Sequence, residues 1–381
     1  MKASMVWVVA VLLAVPGCKK KGDGEADKSA PKTATSDKMA GDKAMSSDTT
    51  KAGGPSGAAA PTEQATPASG EDMAMRYDEC WGFWSQKDWK GLESCYSKDA
   101  TSDQVDSGMP PLTSPEAIIA YHQMLANAFP DRKGDVELTL INGHNGATVA
   151  LFSGTNTGAM KTPMGEMPAT GKKAGMQVAH AVHFTDDGKT ADKDWFYQDN
   201  GELMAQLGVS KAPARGMVDK PFQSNEIVIA KDDATEKRNL ENTNKGIEAF
   251  NNHDAKGMSA YLADGPVWSE SGMPKDTNKA ETAKQDEAMW KAFPDLKLAT
   301  DSIWAAGDYV VQQGTMTGTN KGEWKEMGLK KGTGKPITSR FLQVYKWDKD
   351  GKLTKSWGFW NSALFAQQLG IAPSAGTPAK K

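Results

Sequence analysis

Residues that could move a proton or hold a ligand are few in this chain. Two acids, Asp106 and Glu270, each stand just ahead of a Ser-Gly-Met-Pro run. A carboxylate buried there would have a raised pKa and could act as a base. The competing reading is a turn-forming acid that accepts backbone hydrogen bonds before Gly-Met-Pro. Of the five histidines, His180 and His183 lie three apart in a strand-like run, so their side chains point to opposite faces and do not readily share a metal. His180 shares a face with Val178, Val182 and Phe184, where it reads either as a pocket residue or as a satisfied core histidine. His122 stands on an apolar stripe with Ile118 and Leu125, and His144 and His253 read as turn residues. The sequence carries no metal signature, no Gly-x-Ser-x-Gly elbow and no phosphate loop, so neither a metal nor another cofactor is expected.

Aromatic residues are the other candidates. "DWFYQDNGELMAQLG" (194–208) and "SWGFWNSALFAQQLG" (356–370) read as one element written twice, with Trp195 and Trp357 in register. Aromatic lining suits a pocket for an apolar ligand, while core and sheet packing accounts for most of the 12 Trp.

The elements that must position these residues follow from an internal repeat. "DSGMP" (106–110) returns as "ESGMP" (270–274), "AFPD" (128–131) as "AFPD" (292–295) and "GTNTG" (154–158) as "GTMTG" (314–318), with "TGK" and "QLG" after them. Units this long are domains, not solenoid repeats. The sequence predicts a first domain over 73–210, a linker over 211–234 and a second domain over 235–372. Each opens with amphipathic helices, and Ser114-Pro115 starts the third of the first copy by cap and N1-proline logic. Strand-like runs follow in both copies. Helices first and an antiparallel meander after make an α+β pattern.

The flanks differ in kind. Residues 1–18 hold Lys2 and an apolar run from Met5 to Val15, too short for a permanent span but suited to a signal peptide. Residues 19–72 carry almost no apolar side chain able to offset chain entropy and read as a disordered tether, as do 373–381. The net charge of −3, with both signs interspersed, makes nucleic acid an unlooked-for partner. Cys80 and Cys95 fall on the first helix and on the element that folds back on it. In an exported chain they read as a disulfide, and a loop of about 15 residues would give it ~3 kcal/mol. The second copy has Gly246 and Tyr261 there, so the staple belongs to the first domain alone.

Two resemblances sharpen these readings. "VPGC" before Cys18 resembles a bacterial lipoprotein box, which implies a lipidated Cys18 and a protein anchored to a membrane of the cell envelope. The order of elements, with "AFPD", "GTNTG", "PMGEMPATGKK", "FTDDGK" and the Trp element, resembles the SnoaL-like branch of the nuclear transport factor 2-like superfamily, which includes polyketide and ester cyclases. The resemblance implies two tandem cone-shaped α+β barrels, each a bent antiparallel sheet wrapped on helices around a pocket. Because family members pair sheet to sheet, it also implies an intrachain pseudo-dimer. In that family an Asp directly after the strand Trp is the general acid/base, whereas this chain has Phe196 and Gly358; Asp194 and Asp199 lie nearby. A His common in the middle of the Gly-Thr strand is replaced by Asn156 and Met316. The implied pocket set is Trp84, Asn156, His180, Trp195, Phe196, Phe250, Met316, Gln343, Trp357 and Gly358. With the acid missing, the expected function is binding of a small apolar molecule without cyclase catalysis. The alternatives are a cyclase, isomerase or hydrolase using Asp106, Glu270 or His180, and a protein-docking module.

Overall fold

The computed structural model describes residues 68–371 except 163–164, 212–213, 219, 221–224 and 326–327. Cys18 and both expected disordered flanks lie outside the described residues, apart from the stretch 68–72. No described helix is long and apolar enough to cross a membrane.

The first domain runs α1 (Gly70–Gln86), α2 (Trp89–Glu93), β1 (Tyr96–Gln104), α3 (Pro115–Ala128), β2 (Lys133–Asn142) and β3 (Asn145–Thr155). A small hairpin of β4 (Met160–Thr162) and β5 (Gly165–Met167) follows, then β6 (Lys173–Phe184), β7 (Ala191–Tyr197) and α4 (Asn200–Gln206). The stretch read as a linker carries β8 (Glu226–Ile229). The second domain repeats the order: α5 (Ala234–Asn251), α6 (Ala255–Ser259), β9 (Leu262–Glu270), α7 (Lys279–Ala292), β10 (Lys297–Ala306), β11 (Tyr309–Thr319), β12 (Pro336–Trp347), β13 (Leu353–Phe359) and α8 (Ser362–Leu369).

Local chemistry sets the helix starts. Ser69 with Asp72, Asp233 with Glu236 and Asn278 with Glu281 form capping boxes, and Ser114 caps α3 with Pro115 at its first turn. The disulfide between Cys80 and Cys95 ties α1 to the start of β1.

Both sheets are mixed, not antiparallel throughout. Their strand orders are β1-β7-β6-β3-β2-β8 and β9-β13-β12-β11-β10. The first strand of each domain joins β7 or β13 in parallel, because a helix lies between it and the meander; β8 adds to β2 in parallel as well.

One face of each sheet is turned to the other domain. Val149, Ala181 and Tyr197 share a single apolar cluster with Trp304, Val311, Val344, Trp357 and Phe359, with Trp195 packed against it. Trp195 and Trp357 are therefore not pocket residues: strand alternation points them out of the cones and into this interface. A Trp burying roughly 200 Å² there contributes on the order of 5 kcal/mol before entropy is counted.

Polar contacts frame the apolar seam. Asp106 accepts from the Arg340 backbone N–H at 2.7 Å and from its Nε at 3.0 Å, while Asp103 takes the Arg340 Nη1. The Asp106 carbonyl accepts from Asn361 Nδ2 at 2.8 Å. Asp106 is thus an interdomain clamp and not a catalytic acid. Asp199 is likewise structural, capping α4 and accepting from the Ser362 backbone N–H at 2.9 Å.

Two sequence matches prove out of step with the fold. Gln104 faces Phe196 across β1 and β7 as Glu270 faces Gly358 across β9 and β13. The counterpart of Glu270 is therefore Gln104, and Asp106 corresponds to Gly272; both sit at positive φ in the turn. The second copy spells Gly-Thr at 314 and again at 318, and the later one is the true partner of Gly154-Thr155-Asn156. Thr155 binds Asp131, and Thr319 binds Asp295, through backbone N–H and hydroxyl at 2.6–2.7 Å. That is the work of the repeated "AFPD". Asn156 is fully buried, donates to the Ala128 and Gly158 carbonyls and accepts from the Thr170 N–H, as Asn320 does with Ala292, Gly322 and Thr333. It organises a loop and lines no pocket, and Met316 packs in the second domain's core.

The disulfide closes a loop with a sequence separation of 15. Replacing both cysteines with Ala should lower unfolding stability by about 2–3 kcal/mol in urea melts, with no loss under reducing conditions relative to the reduced parent.

Candidate functional site

Each cone gathers ionisable and aromatic side chains on its inner face, and the two have diverged. In the first, α1 supplies Tyr77, Trp81 and Trp84, α3 supplies Tyr121 and His122, and the sheet supplies His180, Asp194 and Phe196. The Tyr77 hydroxyl meets His180 Nδ1 at 2.8 Å, His180 Nε2 lies 3.0 Å from Asp194 Oδ1, and the Tyr96 hydroxyl donates to Asp194 Oδ2 at 2.8 Å. Burial by itself raises the Asp194 carboxyl, but His180 and the Tyr96 bond outweigh it and hold the carboxyl below the usual range. Burial and the Asp194 charge push both tyrosine hydroxyls well above theirs. Phe196 packs its ring against His180, with centroids 6.2 Å apart. Trp84 donates through its indole N–H to His122 Nδ1 at 3.2 Å, and burial, the largest influence, pushes His122 down to about 4. Tyr77 holds His180 Nδ1, while Asp194 Oδ1, though close to Nε2, is buried and has no hydrogen-bond partner among the described residues.

Asp194, named from the sequence only as an acid near the Trp, is the inward-facing one. Residues two apart in a strand share a face, so the acid before Trp195 enters the cone just as Phe196 after it does.

In the second cone the acids come from other elements. Gly358 has no side chain, and a Cβ placed there would lie 1.8 Å from Glu270 Oε2. The Glu270 carboxylate fills the space that Gly358 leaves open. Gln343 Nε2 donates to Glu270 Oε1 at 2.8 Å and also reaches the Ser356 hydroxyl. Arg215, from the segment between the domains, donates to the Glu270 carbonyl at 3.2 Å and pairs with Asp276 at 2.6 Å. Burial pushes the Glu270 carboxyl up against the opposing influence of Gln343 and Arg215. Asp286, from α7, is pushed up to about 7 by burial and by the Glu270 charge. The Tyr345 hydroxyl, raised by burial and Glu270, donates to Gln312 Oε1 at 2.8 Å. Phe250 and Trp290 pack edge to face in the apolar body of this domain, 5.5 Å between centroids.

Glu270, Gln343 and Gly358 thus meet in one cone, and Trp84, His180 and Phe196 in the other. Asp106, Asn156, Trp195 and Trp357 belong to neither. Two shallow clefts of about 410 and 470 Å³ lie on the first domain's surface, one beside Trp89 and Asn127 and one beside His183 and Asp192.

Two pH signatures follow. His122 titrates lower in the folded chain than its ordinary 6.5, so the unfolded chain binds the extra proton and stability falls as pH drops from about 6.5 to 4. His122→Gln should remove up to about 3 kcal/mol of that loss in paired melts at pH 4.5 and 7.5. Asp286 has the opposite sign: its stability contribution is present below 3.8 and lost as pH rises through about 7. Asp286→Asn should therefore be more stable than the parent above pH 7.5, by roughly 2–4 kcal/mol.

Residues 71–207 match the family model described as SnoaL-like polyketide cyclase, and residues 244–356 match the SnoaL-like domain model. Among solved structures the chain is similar to AclR from Streptomyces galilaeus, assigned as a hydroxylase, at 25% identity over 36% of this chain and 99% of that one, TM-score 0.33. It is similar to a protein of Jannaschia sp. CCS1 assigned as a SnoaL-like polyketide cyclase, at 14% identity over 38% and 99%, TM-score 0.34. IdmH from Streptomyces antibioticus, assigned as a polyketide cyclase, matches at 21% identity over 35% and 99%, TM-score 0.31. No curated protein matches the chain.

Proposed function

This chain carries two tandem SnoaL-like domains, and on that footing we propose that the second is a general acid–base centre acting on a small, largely apolar carbonyl compound. The reaction class is proton transfer at carbon, of the cyclase or isomerase kind. One observation carries the reading: the Glu270 carboxylate occupies the space vacated by Gly358. By sequence alone the acid missing after the strand Trp favours binding without catalysis, but its place is taken by an acid from the adjacent strand.

The surroundings support the division of labour such chemistry needs. Glu270, steadied by Gln343 and Arg215, serves as the base that takes a proton from carbon. Asp286, poised near 7, is the carboxylic acid that returns one to oxygen. The Glu270 charge helps to raise Asp286, so ionising the one disfavours ionising the other. The first domain is the partner against which the second cone is held.

The test is deuterium uptake at an acidic C–H between two carbonyls of aromatic β-keto esters, followed by NMR in the presence of the full chain. The parent should accelerate uptake, and Glu270→Gln should remove roughly 10²–10⁴-fold of that rate. Binding of these esters without any acceleration would return the function to ligand binding alone. We further propose that the chain is exported and lipid-anchored through Cys18. Cys18→Ser should release it from membranes, and continued membrane association would refute the anchor.

A further inference from the structure

We propose that the corner between α1, α2 and α3 of the first domain is a binding site for a small oxyanion, a carboxylate or phosphate group, held by Arg132. The side chain is 4% exposed. Its guanidinium lies over the Trp84 ring at 4.4 Å and the Trp89 ring at 5.4 Å. One nitrogen, Nη2, donates to the Trp84 carbonyl at 2.8 Å. The other two, Nε and Nη1, are buried and have no hydrogen-bond partner among the described residues. Buried polar groups are nearly always satisfied, and an unpaired buried cation is among the costlier exceptions.

Nearby acids do not supply the missing acceptor. Asp131 spends its carboxylate on Thr155, and Asp88 caps α2 through the Gly91 N–H. By contrast Arg76, Arg215 and Arg340 each meet a carboxylate. Burial pushes Arg132 down to about 10, which leaves it cationic at neutral pH.

The second domain is an internal control for what the fold itself requires. Arg132 and Leu296 occupy the same turn, each donating its backbone N–H to the carbonyl of the matching Phe129 or Phe293. Leu296 is fully buried in an apolar core. Phe250 stands in place of Trp84, and Ala255 in place of Trp89 at the start of the short second helix. The fold is therefore content with Leu, Phe and Ala at these positions. The guanidinium between two indoles is an addition private to the first domain, and scaffolding does not explain its two vacant donors.

Its surroundings fit an oxyanion. A cleft of about 410 Å³ shares Trp89 with this corner, and Lys87, Gln123 and Asn127 bring it a second cation and two amides beside Ala126 and Pro130. Lys87 Nζ holds only the Pro130 carbonyl among the contacts described for it. Trp89 is half-buried, so an anion enters by turning this ring aside, exchanging one cation–π contact for charge-assisted hydrogen bonds.

The experiment is a titration of the full chain with inorganic phosphate, acetate and benzoate at matched ionic strength, read by Trp fluorescence and thermal melting. At least one anion should saturate with a Kd of ~1 mM or tighter and raise the Tm. Arg132→Leu, the residue of the sister domain, should abolish both effects while far-UV circular dichroism stays native. Arg132→Lys should weaken binding about tenfold or more, because a point charge cannot replace the planar donor set. Should Arg132→Leu fail to fold, Arg132→Lys and Trp89→Phe carry the comparison, the latter losing the fluorescence change but keeping the rise in Tm. No saturable response of the parent to any of the three anions up to ~50 mM would overturn the proposal. So would an unchanged response in folded Arg132→Leu. Phosphate against the two carboxylates identifies the ligand class. Glu270→Gln should leave the titration unaltered, which separates this site from the acid–base centre.

Discussion

The burial of one sheet against the other is the constraint on which the rest depends. Each strand of the two meanders must commit alternate residues to the seam of Val149, Tyr197, Trp304, Val344 and Trp357. Only the intervening positions remain for the cone interiors. That division explains why the most conspicuous repeated residues, Trp195 and Trp357, face the seam, while their neighbours Asp194, Phe196 and Gly358 face the cone interiors. A shift of one residue in β7 or β13 would exchange the two sets, and in β7 it would leave Asp194 in the apolar seam.

With the outer faces committed, the cones diverged inside. The same position on the matching strands β6 and β12 holds His180 in one domain and Gln343 in the other, as pairing with Phe196 and Gly358 shows. Beside them, Asp194 is matched by Ser356 and Gln104 by Glu270. In the first cone a histidine and an acid from adjacent strands lie against each other, each bonded to a tyrosine. In the second, the small Gly358 lets a longer acid reach inward from the neighbouring strand, and α7 adds Asp286. A carboxylate has moved from one strand to the next while an acid remains inside each cone.

Polar interdomain contacts complete this picture. Arg340 with Asp103 and Asp106, and Ser362 with Asp199, join the ends of the two sheets, and Arg215 ties the connecting segment to Glu270. The second cone is thus steadied by groups from outside its own domain. Residues that resemble catalytic acids in sequence, Asp106 above all, are used instead to hold the halves together.

The sequence by itself determined the duplication, the α+β order, the capped helices and the Cys80–Cys95 pairing, because these rest on local propensity, periodicity and order along the chain. It also brought Glu270, His180 and Gln343 forward as candidates. Tertiary structure alone decided which side of a strand faces a cone, which Gly-Thr matches which, and that Glu270 corresponds to Gln104 and not to Asp106. A five-residue match such as Asp/Glu-Ser-Gly-Met-Pro cannot reveal that one copy of the turn begins two residues later. Backbone pairing with the next strand can. Nor can composition show that the space beside Gly358 is filled from another strand, since that depends on two side chains far apart in sequence meeting in one volume.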